Sequence, residues 1–514
     1  MTAGPDQNKD NDSIQSGRDT RISVNATLNA SGSIAYSIAV VVITPIAIHF
    51  LGETRWGIWQ LVSAAAAYGL LLNLGLNSAV SFQVSRNLAL ADHSHLGSSI
   101  HNARIYLLAA GLIMLVVFAI VGKPLIQSLV DESLSSRAFL ALATSIAITA
   151  ATLPVRLYAS VISGLQRYDL LAAFRIVAGL ALLVTTVAGF LAGMGLVGFV
   201  AIMSLGPVIP AALSWIACRR LLPNECLRWR PIDFPYFRKM ASYSINTLLY
   251  TAGTVILFQS MKMIASWRCG GPVAAGHMGL VINLVHVVSV AFLPLAAVLH
   301  TRVSDFHSRG LESKIPPLIH RSMSGIALIA IPTVTFLIWE ADSVFQAWVG
   351  ASITENTIQS LASTARWMLA GQVLYIVFLP GFYALVGVGE HFRFGVGMIC
   401  AGLANAALGW VASGLAPQIS SLGAVFGFSL GVLVLVVTAP ISIRRFSLNV
   451  IDLARDTVVI PLVISAPGML ALAFRPQIEN TFADLLVAAL AFSLLTIPGL
   501  MWGRKRLTAI ESNP

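Results

Sequence analysis

What this sequence lacks sets its class. Charged residues make up only 11% of the 514 positions, against 57% hydrophobic residues and a mean hydropathy of +0.81. Soluble domains do not carry so little charge, so most of this chain is built for lipid. Acidic residues are scarce, 22 against 32 lysines and arginines, and none falls deep in an apolar segment. Cysteine is rarer still. Cys218, Cys226, Cys269 and Cys400 are the whole set, with no metal-ligand spacing and no pair placed for an outer-face disulfide. The sequence shows no phosphate-cradling glycine loop, nucleophile elbow or nucleotide-binding domain, which argues against ATP-driven transport by this chain. Residues 1–22 are polar without an apolar core, the pattern of a disordered tail and not of a cleaved signal peptide. No cofactor and no metal is expected.

What is present is a succession of long apolar segments. A helix rises about 1.5 Å per residue, so roughly 20 apolar residues cross a hydrocarbon layer of about 30 Å. Reading the chain this way gives about fourteen such segments, the first starting near residue 24 and the last near 481. The expected fold is an all-α polytopic membrane protein. All but eight of the 32 lysines and arginines then fall in the tails and in loops on one side. Arg55, Lys123, Arg137, Arg268 and Arg475 lie on the other side, and Arg156, Lys262 and Arg366 lie within helices. This is the positive-inside bias and places both termini in the cytoplasm. The basic surplus is therefore an orientation signal and no sign of nucleic acid. Arg219, Arg220, Arg228, Arg230, Arg238 and Lys239 crowd one inner loop and favour anionic headgroups, so membrane lipid is the partner they imply. The loop from Asn87 to Ala103, with Asp92, His93, His95 and His101, is expected to be solvated.

The second half echoes the first. Laying Leu51 on Gly270 sets Gly52 on Gly271, Gly57 on Gly276, and Val84 and Ser85 on Val303 and Ser304; laying Pro154 on Pro380 sets Arg167 on Arg393. These matches fall at similar points of two six-helix units. Because six is even, the two copies face the same way, related by a pseudo-twofold axis along the membrane normal. The organisation expected is a tail at 1–22, an N-terminal lobe at 23–222, a cytoplasmic linker at 223–238, a C-terminal lobe at 239–446, two extra transmembrane helices at 447–503 and a tail at 504–514.

Polar residues recur every fourth position on several of these helices. Asn25, Asn29, Ser33 and Ser37 mark one face of the first, Asn73, Asn77 and Ser81 one face of the second, and Asn246, Tyr250 and Thr254 one face of the seventh. An amide left unpaired in hydrocarbon costs several kcal/mol, so such faces look onto another helix or a wet cavity. Helix-to-helix hydrogen bonding accounts for any one of these residues as well as a cavity does.

The Asn-rich first helix, the Leu51-Gly52 to Gly57 turn, the run Leu72-Asn73-Leu74-Gly75-Leu76, the segment from Gly164 to Asp169 and the stretch Phe345 to Gly350 together resemble the Wzx-type polysaccharide flippases. That family belongs to the superfamily that also holds MurJ-type lipid II flippases and MATE exporters. The resemblance runs from about residue 22 to about residue 450. It implies a two-lobed V with a central cavity, working by alternating access. It also implies an undecaprenyl-pyrophosphate-linked oligosaccharide as substrate, for surface polysaccharides such as the O-antigen of lipopolysaccharide, in a bacterial inner membrane, with a polysaccharide polymerase as a partner. Relatives carry an acidic residue near where this chain reads Tyr250 to Thr254, a departure at the seventh helix.

Arg156, Lys262 and Arg366 are the cations within helices, and an all-basic set suits an anion such as pyrophosphate. Arg366 is the first choice; Lys262 and Arg156 also lie close enough to a helix end to snorkel toward headgroups. Tyr36 and Tyr250 are placed to stack on or hydrogen-bond a glycan, alongside Asn25, Asn29, Asn73, Asn77 and Asn246. His286, in mid-helix, is a candidate proton relay, which leaves Na+ or H+ open as the coupling ion. Two other functions compete. A MATE-like ion-coupled exporter of small molecules would need a membrane-embedded carboxylate. A membrane glycosyltransferase or polymerase would need an acidic pair on an outer loop, for which Glu340 and Asp342 are the available residues, read here as a helix boundary.

Overall fold

The computed structural model describes residues 31–512 except 74, 90–92, 229–231, 391, 476, 477 and 479. Asn25, Asn29 and the 1–22 tail lie outside the described residues. Those described are helical with no strand, and thirteen helical runs are long and apolar enough to cross a membrane.

The first lobe opens with α1 (Ser31–Leu51) and α2 (Glu53–Gly69), joined at Gly52, whose φ of +78° only glycine adopts without strain. α2 passes through a 3-10 turn, Leu70–Asn73, into α3 (Leu76–Ala89). At 17 and 14 residues, α2 and α3 are each too short to cross alone, and together they make the further crossing. Then come α4 (His93–Leu129), α5 (Glu132–Gly164), α6 (Tyr168–Leu191), and α7 (Leu196–Leu205) running on into α8 (Val208–Leu221). A short α9 (Asn224–Leu227) leads to the second lobe: α10 (Phe234–Cys269), α11 (Gly271–Ser308), α12 (Ile315–Trp339), a short α13 (Ala341–Val349), α14 (Glu355–Gly387), α15 (Phe392–Leu415), and α16 (Ile419–Val432) continuing into α17 (Ala439–Arg445). Last come α18 (Val450–Ala454), α19 (Ile460–Phe474) and α20 (Thr481–Ser512). One expectation is corrected here. Among its described residues the 87–103 segment is no solvated loop: α3 runs to Ala89, α4 starts at His93, and His101 is 2% exposed. Within the expected 504–514 tail, α20 continues to Ser512.

Proline shapes the ends of the second lobe. π-helical turns at Leu433–Thr438 and Arg455–Val459 lie just ahead of Pro440 and Pro461. A proline lacks the N–H for its fourth-previous carbonyl and its ring crowds that group, and one widened turn relieves both faults.

The duplicated turns meet each other. A Cβ on Gly57 would fall on the backbone of Pro272, and one on Gly276 would lie 3.1 Å from the Gly57 Cα. The residues that superpose in the sequence repeat therefore touch across the lobe boundary, as they must if they flank a twofold axis. Beside them His277 Nε2 lies 2.7 Å from a Glu53 carboxylate oxygen, and Trp56 Nε1 donates to the Gly276 carbonyl at 3.3 Å. α2 and α11 are thus packed together at the end of the molecule that carries the two turns.

The last two crossings are tied to the second lobe by charge. Arg475 Nη2 donates to Glu340 at 3.0 Å and to Asp484 at 2.6 Å, and all three side chains are at most 10% exposed. Removing the arginine would leave two carboxylates buried without a counter-ion. We expect Arg475→Ala to cost about 3–5 kcal/mol, read as a lowered thermal midpoint in detergent and early proteolysis of the 475–484 connection. A variant as stable as the parent would show that this triad does not anchor the pair.

Candidate functional site

The interruption between α2 and α3 positions the most polar part of the first lobe. Gly75 has a φ of +70°, which breaks the helix within the membrane. Broken helices expose backbone groups that lipid cannot satisfy, so they occur where protein or a wet cavity surrounds them. Here the Leu72 carbonyl takes the Tyr106 hydroxyl at 2.8 Å. Asn73 and Asn77, on the two sides of the break, each hold a buried Oδ1 with no hydrogen-bond partner.

α5 runs alongside in the same direction. Ser85 donates to the Gly164 carbonyl at 2.7 Å, and the Ser81 and Ser163 hydroxyls lie 3.3 Å apart. Counted from the Ser85–Gly164 contact, Asn77 and Arg156 are each eight residues back along their helices, about 12 Å at about 1.5 Å per residue. Arg156 is half-buried, its Nε is buried without a partner, and it makes no ion pair among the described residues. The phenol of Tyr36, from α1, is close enough to interact with it electrostatically. α6 adds Arg175, whose Nη1 donates to Ser33 Oγ at 2.9 Å. One lobe thus gathers two arginines, a tyrosine and two amide oxygens in need of donors. The cations can hold an anion, and the amides can take hydroxyl groups.

Sequence reasoning missed Arg175. It places the start of the fifth crossing near 169 and counts this arginine with the inner loops, whereas α6 begins at Tyr168 and carries it two turns inward. The signal was its spacing from the start of the helix.

The other candidates fall in different places. Lys262 does not snorkel: it is 4% exposed in the interior of α10 and has no hydrogen-bond or ion-pair partner among the described residues. Its neighbour in charge is His286 of α11, which is solvent-accessible in mid-helix. Tyr250 is no isolated wall residue. Its hydroxyl is 2.9 Å from that of Tyr375, and its ring stacks on Phe382 at 4.9 Å within an aromatic cluster that includes Phe394. The side chain of Asn246 lies outside the described residues.

Arg366, the first choice from sequence, requires a correction. Its Nη2 is ion-paired with Asp342 and its Nε donates to the Ile338 carbonyl at 3.1 Å. With a partner and a side chain 39% exposed, it is a brace at the corner where α12 turns into α13, not a free cation awaiting an anion. Reading Glu340 and Asp342 merely as a helix boundary hid the partner. The same pairings occupy the acidic pair that a glycosyltransferase would use, since Glu340 holds Arg475 and Asp342 holds Arg366. Asp456, 4% exposed near the start of the thirteenth expected crossing, is likewise engaged, by His320 at 3.1 Å and Arg455 at 3.0 Å.

No family model matches the sequence, and no curated protein matches it. Among solved structures, the chain is similar to the lipid II flippase MurJ in an inward closed conformation, at 11% identity and a TM-score of 0.70, covering 95% of this chain and 99% of that one. It is also similar to a multidrug resistance MATE family transporter in an inward-facing conformation, at 14% identity and a TM-score of 0.65, covering 82% and 94%. A MOP superfamily transporter from Pyrococcus furiosus, described as having a binding pocket of reverse polarity, matches at 14% identity and a TM-score of 0.65 over 83% and 95%. At these identities the likeness is one of fold. Its long apolar helices make the chain a multi-pass membrane protein.

The two arginine environments predict separable effects. Arg366→Asp and Asp342→Arg should each lower thermal stability by at most about 1 kcal/mol, because the pair is partly solvated, and the double exchange should recover it. Failure of the double exchange to recover stability in a melting assay would show that Arg366 does more than brace that corner.

Proposed function

We propose that this protein is a flippase that moves undecaprenyl-pyrophosphate-linked oligosaccharide units from the inner to the outer leaflet of a bacterial cytoplasmic membrane. Alternating access of the two lobes carries the headgroup, and both termini stay in the cytoplasm. The observation that carries the reading is Arg156: a membrane-embedded guanidinium without an acidic partner among the described residues, in the same lobe as the unpartnered amide oxygens of Asn73 and Asn77. A pyrophosphate matches the cation, and the adjoining sugars offer hydroxyl donors to Asn73 and Asn77. Arg175 and Tyr36 complete the headgroup site. Lys262 and His286 serve a coupling step driven by Na+ or H+, with His286 relaying a proton in the second case. A polysaccharide polymerase consumes the flipped product.

A MATE-like exporter of small molecules is the second reading, and the solved relatives support it equally. What sets it behind is the chemistry of the interior. Glu340, Asp456 and Asp484, the buried carboxylates among the described residues, sit near helix ends and are each ion-paired. None is free to take a cation.

The test is complementation of a bacterium lacking its O-antigen flippase, scoring surface polysaccharide and accumulated lipid-linked intermediate. The parent chain should restore the polysaccharide. Arg156→Ala, expressed equally, should cut the flipping rate about 10- to 100-fold, the loss of one charge-assisted contact of roughly 1.5–3 kcal/mol. Arg156→Lys should retain part of it. Drug resistance conferred by the parent chain without any restored polysaccharide would instead establish the exporter.

A further inference from the structure

Proline 45 creates a defect in α1 that the opposite lobe repairs. Pro45 sits inside the continuous helix Ser31–Leu51, and its missing N–H leaves the carbonyl of Val41 without its intrahelical donor. The donor comes from α13 of the second lobe, where Trp348 Nε1 reaches the Val41 oxygen at 2.9 Å. Trp348 is half-buried, and its ring packs at 6.1 Å from that of the fully buried Phe345. The bond crosses between lobes, as does the reciprocal bond from Trp56 to Gly276. Val41 stands midway along α1, ten residues or about 15 Å from the Gly52 turn beside which α2 and α11 are packed together.

The structure assigns Trp348 as a gating residue: its indole is a latch that holds α1 of the first lobe against α13 of the second by supplying the hydrogen bond that Pro45 denies to α1. The fold is known in both inward-facing and outward-facing conformations of a MATE family transporter, so the outer ends must part. When they do, the Val41 carbonyl and the indole N–H lose each other, and an unpartnered polar group in hydrocarbon is expensive. The latch therefore sets the balance between the outer-closed and outer-open states. It goes beyond the flippase reading and does not depend on which cargo is carried.

The test reads conformation, so that its failure is distinct from failure of the transport assignment. In full-length protein in lipid vesicles, with Cys269→Ser and Cys400→Ser, spin labels replace Arg55 on α2 and Asn356 on α14, both exposed. Distance distributions between the labels report the closed and open populations. Trp348→Phe keeps an aromatic ring and removes the donor; it should shift the ratio toward open by roughly tenfold, the loss of one buried hydrogen bond. Pro45→Ala, which cannot harm the helix, returns an N–H to α1 that competes for the same oxygen. In that background, Trp348→Phe should change the ratio by less than about twofold, because the carbonyl no longer depends on the indole. The proposal is overturned if Trp348→Phe alone leaves the distances as in the parent. It is equally overturned if the tryptophan substitution has the same effect with and without Pro45.

Discussion

Within a bilayer there is no water to satisfy a backbone polar group, and the organisation of this protein follows from where its helices leave such groups exposed. An unbroken helix satisfies itself and needs only apolar cover. Each interruption must find a partner elsewhere, and here those partners join elements distant in sequence. The break at Gly75 draws the Tyr106 hydroxyl to Leu72. The proline in α1 draws Trp348 across the lobe boundary. Ahead of Pro440 and Pro461 the helix solves the problem internally, by widening one turn. Uninterrupted stretches of helix supply the scaffold, and the interruptions supply its long-range connections.

The fold was legible because membrane helices announce themselves by length and hydropathy, and because the duplicated turns carry glycines at matched places. Gly57 and Gly276 pair in the sequence repeat for the reason that they touch in space: two backbones meet there with no room for a side chain. The ion pairs were not legible. Arg366 with Asp342, and Arg475 with Glu340 and Asp484, join residues from 9 to 135 positions apart, and their meeting depends on how α13 folds back at the end of α12. Depth in a helix says that a charge is costly. Which partner offsets that cost is a property of packing, and a single sequence does not contain it.

The site was legible in kind and not in membership. Asn77 and Arg156 are each eight residues from the contact between Ser85 and Gly164, a register between α3 and α5 that no spacing rule supplies. Arg175 was within reach of the sequence, since the expected helix start near 169 already put it inside α6 and not in a loop. Lys262 and His286 are neighbours between α10 and α11, apart from the amides and arginines of the first lobe. A stripe shows that a face is not bathed in lipid, without showing what that face meets.

The two lobes descend from one pattern yet differ where chemistry is concerned. In the alignment that lays Pro154 on Pro380, Arg156 falls on Phe382. α5 and α14 are each 33 residues long, and each carries its proline toward its C-terminal end. At this equivalent position one lobe keeps a guanidinium with an unpartnered nitrogen. The other fills the space with rings, Phe382 lying 4.9 Å from Tyr250 and 4.1 Å from Phe394. A close-packed aromatic cluster resists internal deformation, and a polar cluster with open hydrogen-bonding capacity does not.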